Sequence, residues 1–457
     1  MNMVEKNIVK HVLSELFKKL ESEGIRYCIL HSYETLPEVL ISDVDIAIEK
    51  RGLERIDSIL YQLADSHDLK IIQKLYYDVP ACYYYVLAFW GKVSVPKFIQ
   101  LDFLNDELGI NKYFLGSEIL LYKRRRYKNF YIPSASVEAA YLTIKKVTKR
   151  KFPKTTFKKL RKLYQEDNQG FEQLILKYFG RNNLVSLKEL ILSKTEGRGE
   201  ILKKLYLSLM FRYYLPRPQK LFLKVLWLIR RLVTRIINPT GLIMCFLAPD
   251  GAGKSTIAKQ ILTHLRQGFR RTLYIHWRPG VLPPPRRVLN PKKWEKMTDD
   301  ITVAPHKVPP QNLLISLIRF FYYTLDYIVG YCFKLKIAKI KTSLVVIDRY
   351  YYDFLFDLRR FRLNIPKWLP KLLLPIIPKP DMVVYLHNTP EELYKRKQEL
   401  TLQELKRQVN EYQKMWSKLP NAYQINTNKP IDEITSEIVS LILEKKTTQT
   451  LPLLKID

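Results

Sequence analysis

Gly251-Ala252-Gly253 runs directly into Lys254, Ser255 and Thr256. These residue types in this order suit a polyphosphate. Glycines let backbone N–H groups close on phosphate oxygens, a lysine reaches the β- and γ-phosphates, and a hydroxyl sits on Mg²⁺. The spacing departs from the usual pattern once, because Ala248 stands where a first glycine is usual and Pro249 follows it. Further along, "SLVVIDRYYYD" is an apolar run that ends in Asp348 and Arg349. A carboxylate at the end of such a strand is placed to hold the metal or its water, or else to cap the helix that follows. Lys395-Arg396-Lys397 form a basic cluster that reads as a solvated helix face or as a lid over a transferring phosphate.

A second set of carboxylates lies near the N-terminus. Asp43 and Asp45 alternate in "SDVDIAIE" and so share one strand face, about 7 Å apart by strand geometry. Asp102 sits in a later apolar run, "FIQLDFL". Two aspartates from one strand and a third from a neighbour can hold two Mg²⁺ ions for in-line attack on a nucleotide α-phosphate.

These residues need elements to position them. "GLIMCFLA" is a buried strand and "KSTIAKQILTHL" an amphipathic helix, so the glycine turn falls between strand and helix N-terminus, where an anion is favoured. From Gly241 onward strands and helices alternate, which predicts an α/β fold with a parallel sheet flanked by helices. Residues 1–145 also mix helix and strand signals and predict an α+β domain, whereas 146–240 read as a basic helical connector without a clear strand. The breaker cluster "NPTG" at 238–241 marks the start of the third domain, 241–457. The proline-rich "RPGVLPPPRRVLNP" reads as a surface loop inside it.

Composition narrows the partners. The chain of 457 residues carries 77 Lys and Arg against 44 Asp and Glu, a net +33, which favours anionic partners. Its four cysteines are scattered without a CxxC pair, so a disulfide framework and a cysteine metal site are not expected and a reducing cytoplasm is. The N-terminal stretch is charged throughout and lacks a signal-peptide core. The most apolar stretch, "NLLISLIRFFYYTLDYIVGYCF", is interrupted by Arg319 and Asp326 and reads as a buried helix of a globular domain.

Together "APDGAGKST", "DRY" at 348–350 and "PDMVVYLHNTPEELYKRK" resemble the thymidylate kinase family of P-loop nucleoside monophosphate kinases. The "RPG" at 278–280 is similar to that family's Arg-Glu-Pro-Gly turn without its Glu. The resemblance spans roughly residues 241–430. It implies ATP-dependent, Mg²⁺-assisted transfer to a phosphorylated acceptor. Lys254 and Ser255 would bind ATP phosphate and metal, Asp250 would lie beside the acceptor sugar, Arg278 and Arg349 would grip the acceptor's phosphate, and Arg396 would act from the lid. After "DRY" the family's thymine-reading Ser and Ala-Tyr-Gln run is replaced by "YYDFLFDLRRFR", so the kinase machinery is implied more strongly than dTMP. The "HWRPG" and "DRYYYD" stretches look like the subgroup found in bacterial surface-polysaccharide loci, which keeps a sugar-phosphate group open as acceptor beside a nucleotide. Asp43, Asp45 and Asp102 resemble the acidic set of the polymerase β-like nucleotidyltransferases, with His31-Ser32 where that superfamily has Gly-Ser. An active transferase and a degenerate ligand-binding or scaffolding domain are both compatible with this.

The basic helical stretch ends in "QKLFLKVLWLIRRLVTRIIN", where Leu, Val, Trp and Ile interleave with Lys220, Lys224, Arg230, Arg231 and Arg235. It reads as a linker helix packed on a neighbour, or as a peripheral helix on an anionic membrane at the inner face of the cytoplasmic membrane. Nucleic acid ranks below both, its one pointer being "YKRRRYK" at 122–128. A rival to the kinase is thus a nucleic-acid or membrane-surface protein with ATP as a switching ligand. A homodimer is compatible with either.

Overall fold

The computed structural model describes residues 3–76, 81–91, 95–106, 115–192, 198–283, 308–398 and 400–456. They form two compact units. The first joins Met1–Phe89, Phe98–Thr234 and Thr447–Asp457; the second joins Trp90–Lys97 and Arg235–Lys446.

The first unit is built on strands β1 (Tyr27–Ile29), β2 (Val44–Ile48), β3 (Lys70–Tyr76), β4 (Cys82–Phe89) and β5 (Lys97–Leu104), in the order β1-β2-β5-β4-β3. β2 runs parallel to β5 with Asp45 opposite Asp102, while β1 is antiparallel to β2 and β3 to β4. Helices Met3–Ser22 and Lys50–Ser66 cover one side through Leu16, Phe17, Ile56 and Leu60, which meet Ile46, Leu101 and Phe103 in one core. A small hairpin, β6 (Arg125–Tyr127) and β7 (Phe130–Ile132), follows.

The stretch expected as a connector folds into helices Ala135–Thr148, Lys154–Glu166, Asn168–Phe179, Arg181–Leu192 and Arg198–Tyr214. Their Tyr141, Leu160, Phe171, Phe179 and Leu209 share a core with Cys28, Leu30 and Ala47 of the sheet. Shared burial therefore makes one unit of these helices and the sheet, and the division falls within helix Pro218–Ile237.

The end of the chain also belongs here. Thr450 Oγ1 donates to the Ile72 carbonyl (2.9 Å), Lys74 Nζ to the Leu453 carbonyl (2.9 Å), and the Lys455 amide to Asp57 Oδ2 (3.0 Å). The 241–457 reading thus stops short at its C-terminal end, where backbone groups pair with β3 and with the Asp57–Lys74 ion pair (2.6 Å).

The second unit holds a parallel sheet of β8 (Leu242–Leu247), β9 (Arg271–Ile275), β10 (Ser343–Ile347), β11 (Met382–His387) and β12 (Ala422–Asn426), ordered β12-β11-β8-β10-β9. β8 and β10 are buried along their whole length, as continuous apolar runs in a sheet covered on both faces must be. Helix Lys254–His264 follows β8, and helix Ile431–Thr450 follows β12.

One described helix, Leu313–Ile340, is long and apolar enough to cross a membrane. It buries Phe320, Tyr323 and Tyr327 against the sheet core, and its fully buried Asp326 pairs with Arg278 at 2.8 Å. Of the proline-rich stretch 278–291, residues from 284 onward lie outside the described ones.

Candidate functional site

The sharp turn out of β8 depends on two glycines. Gly251 has φ +83° and Gly253 φ +81°, a left-handed region that favours glycine. Gly251 is also tightly approached, since a Cβ there would lie 3.1 Å from the Leu393 carbonyl and 3.3 Å from Lys397 Cβ. The turn delivers Lys254 to the first position of its helix, where the side chain is buried and donates to the Ala248 and Pro249 carbonyls (3.0 and 2.8 Å). Burial, reinforced by the charge of Arg349, brings the Lys254 ammonium down to about 7. An anion placed beside it would reverse that penalty. Thr256 is exposed in the same first turn, and Ala252 of the glycine turn is buried.

β10 brings Asp348 alongside, because β8 and β10 are neighbours in register. Asp348 Oδ2 accepts from Ser255 Oγ (2.7 Å) and Tyr274 Oη (2.6 Å), with His276 Nδ1 at 3.5 Å. Burial alone would raise this carboxyl, but His276, the Lys254 charge, Tyr274 and Ser255 hold it well below the usual carboxylate range. Asp348 Oδ1 is buried and has no hydrogen-bond partner among the described residues. A buried ionised oxygen without a donor fits a hard cation, and Ser255 and Asp348 supply the oxygen ligands that Mg²⁺ prefers beside phosphate.

Next to this lies a tight knot of charge. Asp250 pairs with both Arg349 and Arg360; Arg349 also bonds Asp353 Oδ2 (2.9 Å) and Arg360 Asp357 Oδ2 (3.3 Å). Asp353 takes a further bond from Tyr412 Oη (3.3 Å), and burial pushes its carboxyl up. Arg349, expected to grip the acceptor's phosphate, is held here between Asp250 and Asp353. Arg278 is committed elsewhere: its Nη1 bonds buried Asp326 and the Leu282 carbonyl (2.9 Å), and its guanidinium lies over the Trp277 and Tyr323 rings. In this arrangement it anchors the 278–282 loop.

Arg396 closes the short helix Pro390–Arg396, which Thr389 caps by accepting from the Glu392 amide (3.3 Å). Its Nη2 donates to the Thr427 carbonyl (3.0 Å), and its Cβ would lie 3.9 Å from a Cβ on Gly251. The segment expected as a lid therefore sits directly on the glycine turn.

In the first unit, Asp43, Asp45 and Asp102 line one cavity of about 1090 Å³. The same cavity is lined by Lys145 and Lys146 of helix Ala135–Thr148, by Lys149 just past its end, and by Lys158, Lys159 and Lys162 of the next helix. Asp45 bonds Lys145 Nζ (3.1 Å) and His31, and these partners hold its carboxyl well below the usual range although burial opposes the charge. Asp102 Oδ1 accepts from Cys82 Sγ (3.3 Å). No group of three His, Cys, Asp or Glu side chains among the described residues is arranged to hold a metal ion. The three expected carboxylates thus line one cavity, and in this arrangement the Lys145 ammonium meets the charge of Asp45. Ser32, in the His31-Ser32 turn, takes φ +56°.

The "YKRRRYK" cluster is tied down by its neighbours. Arg125 pairs with Glu166 (2.7 Å) and Glu138 (3.2 Å), Arg126 with Glu21 (3.3 Å), Lys128 with Glu38 (2.9 Å), and Arg124 donates to the Tyr27 carbonyl (2.8 Å).

Sequence reasoning missed Tyr274, His276, Asp353, Asp357 and Arg360. "HWRPG" and "YYDFLFDLRRFR" contained four of them, but only the fold of those segments against Asp250 and Asp348 gives them partners.

No protein-family model and no curated protein matches the chain. Among solved structures it is similar to the thymidylate kinase of Ehrlichia chaffeensis, 15% identical, covering 44% of this chain and 97% of that one with TM-score 0.30. It is also similar to the thymidylate kinase of Candida albicans, 19% identical, covering 45% and 93% with TM-score 0.31.

Proposed function

We propose that the second unit is an ATP- and Mg²⁺-dependent phosphotransferase of the nucleoside monophosphate kinase type. One observation carries the reading: a buried strand turns through Gly251 and Gly253 into Lys254 and Ser255, and Ser255 is bonded to an Asp348 whose other oxygen lacks a donor. A glycine-rich turn with an incidental lysine would not need a buried ammonium and an ionised, half-satisfied carboxylate within one constellation.

On this reading the helix N-terminus and Lys254 hold the ATP polyphosphate, while Ser255 and Asp348 hold the metal. When bound, Mg²⁺ would neutralise charge on the transferring group. Arg349 and Arg360, oriented by Asp250, Asp353 and Asp357, form the cationic wall for the acceptor's phosphate. Arg396 and Lys397, beside Gly251, exclude water and stabilise the transferring phosphoryl from the lid. The acceptor is a nucleotide or a sugar-phosphate group of the kind used in glycan synthesis. The first unit is read as a nucleotidyltransferase-like domain whose acidic set has lost metal geometry and which acts as a ligand-binding or scaffolding partner. Both units work at the cytoplasmic side.

The test is an ATP-turnover panel with each nucleoside monophosphate and several sugar phosphates. Acceptor-dependent ADP release that Lys254→Ala removes supports the reading. Absence of acceptor-dependent turnover across the panel, with intact ATP binding, would turn it towards ATP as a switching ligand.

A further inference from the structure

Helix Pro218–Ile237 presents its apolar side to the solvent. None of its residues is buried. Leu221, Phe222, Val225, Leu228, Ile229 and Leu232 are all exposed, from 41% at Leu228 to 67% at Phe222. The half-buried positions are instead Lys220, Lys224, Trp227, Arg231, Thr234 and Arg235, which recur every three or four residues and so form one stripe towards the protein. There Lys224 Nζ donates to Tyr214 Oη (2.6 Å), and Lys220 lies over the Tyr213 ring. A surface helix of a water-facing protein is normally oriented the other way, with its apolar stripe inward.

Such a face needs an occupant, and charge selects it. Residues 201–249 contain no Asp or Glu, while 201–237 contain nine Lys and Arg. On the helix, exposed Arg230 lies along one edge of the apolar stripe, while Lys224 and Arg231 lie on the half-buried side. A second copy of the chain would bring two such positive surfaces together without an acidic partner in this stretch. A nucleic acid would meet the cations but leave the exposed aliphatic stripe without a base-stacking role. An anionic bilayer satisfies both features, because aliphatic side chains enter the acyl boundary while Lys and Arg reach lipid phosphates at its rim. The Arg230-Arg231 pair at mid-helix rules out a span and leaves the helix lying in the interface plane.

We propose that helix Pro218–Ile237 is an in-plane membrane-surface helix that takes anionic phospholipid. This is independent of the kinase reading, because no residue of the helix belongs to the phosphate site.

The full chain is floated with vesicles of phosphatidylcholine alone and with vesicles containing about one third phosphatidylglycerol. Binding should be at least roughly tenfold stronger to the anionic vesicles and should weaken as salt is raised. The triple variant Val225→Asp, Leu228→Asp, Leu232→Asp should lose that binding while keeping its melting temperature, since all three side chains are exposed. Arg230→Gln with Arg231→Gln, which leaves the apolar face intact, should weaken anionic binding by roughly tenfold or more. Equal binding to both vesicle types, or none, would overturn the proposal. So would a dimer in lipid-free solution that the triple variant dissolves, because a second copy would then be the occupant.

Discussion

Ser255 Oγ donates to Asp348 Oδ2 at 2.7 Å, joining the residue after the phosphate-loop lysine to the end of a strand 93 residues away in sequence. The bond sets both oxygens on one side of the glycine turn and leaves Asp348 Oδ1 without a donor. Asp348→Asn should therefore keep the fold but lose the charge that favours the cation. The expected outcome is a fall in kcat on the order of 10²-fold at ordinary Mg²⁺, partly recovered at high Mg²⁺. Steady-state turnover against Mg²⁺ concentration checks this; an unchanged Mg²⁺ dependence would remove Asp348 from the metal.

Lys254→Ala should lower kcat by about 10²–10³. The side chain is buried against two loop carbonyls, so a thermal melt must show that the variant stays folded. A folded variant with full ATP-dependent activity would sink the phosphate-loop assignment.

The same lysine has a pH signature. Burial first, and Arg349 second, bring Lys254 to about 7, and burial does the same to Lys446. An unfolded lysine titrates near 10.4, so between about pH 7 and 10 the unfolded chain binds protons that the folded chain lacks. Stability of the ligand-free protein should rise with pH across that window. ATP should do the opposite to its own affinity: its phosphates raise Lys254, binding takes up a proton, and Kd should weaken above pH 7. Calorimetry at pH 8 in buffers of different ionisation enthalpy measures the uptake; zero uptake would contradict the contact.

dTMP should be a poor acceptor. Past Tyr350 the chain enters a short 3-10 turn, Tyr351–Leu355, where Tyr351, Tyr352 and Phe354 are buried in the core rather than offering polar groups to a base. Sites that lack such hydrogen-bonding groups discriminate weakly. A kcat/KM for dTMP near 10⁴ M⁻¹s⁻¹ or above would contradict this.

In the first unit, Asp45→Asn removes the counterion of a largely buried Lys145. It should cost about 1–3 kcal/mol near neutral pH. Because the Asp45 carboxyl is depressed in the folded state, its contribution is complete above about pH 4 and fades as pH falls below that. Thermal melts at pH 7 and pH 3 of the full chain compare the two conditions. Mg²⁺ should add no stability that depends on Asp43 and Asp45, since no metal-holding group is formed there.

Much of the second unit could be read directly from the chain. A strand, a glycine turn and a helix start are local features, so Lys254, Ser255 and the Asp348 strand end are found from spacing alone. The alternation of Asp43 and Asp45 was also legible, although β2 begins only at Val44; both line one cavity, and parallel pairing sets Asp102 opposite Asp45. What those carboxylates do was decided elsewhere, because Lys145 reaches Asp45 across 100 residues of sequence and sequence spacing does not encode that approach. Arg278 shows the same limit: its turn resembles an acceptor grip, yet a buried Asp326 in a distant helix claims it. Asp250, Arg360 and Asp353 become one charge knot only when the segment after Tyr350 folds back, and helix Pro218–Ile237 shows its apolar stripe in sequence but not which way that stripe faces. Local backbone preference and periodicity are properties of neighbouring residues, whereas burial and charge pairing are settled by which distant side chains the fold brings within reach.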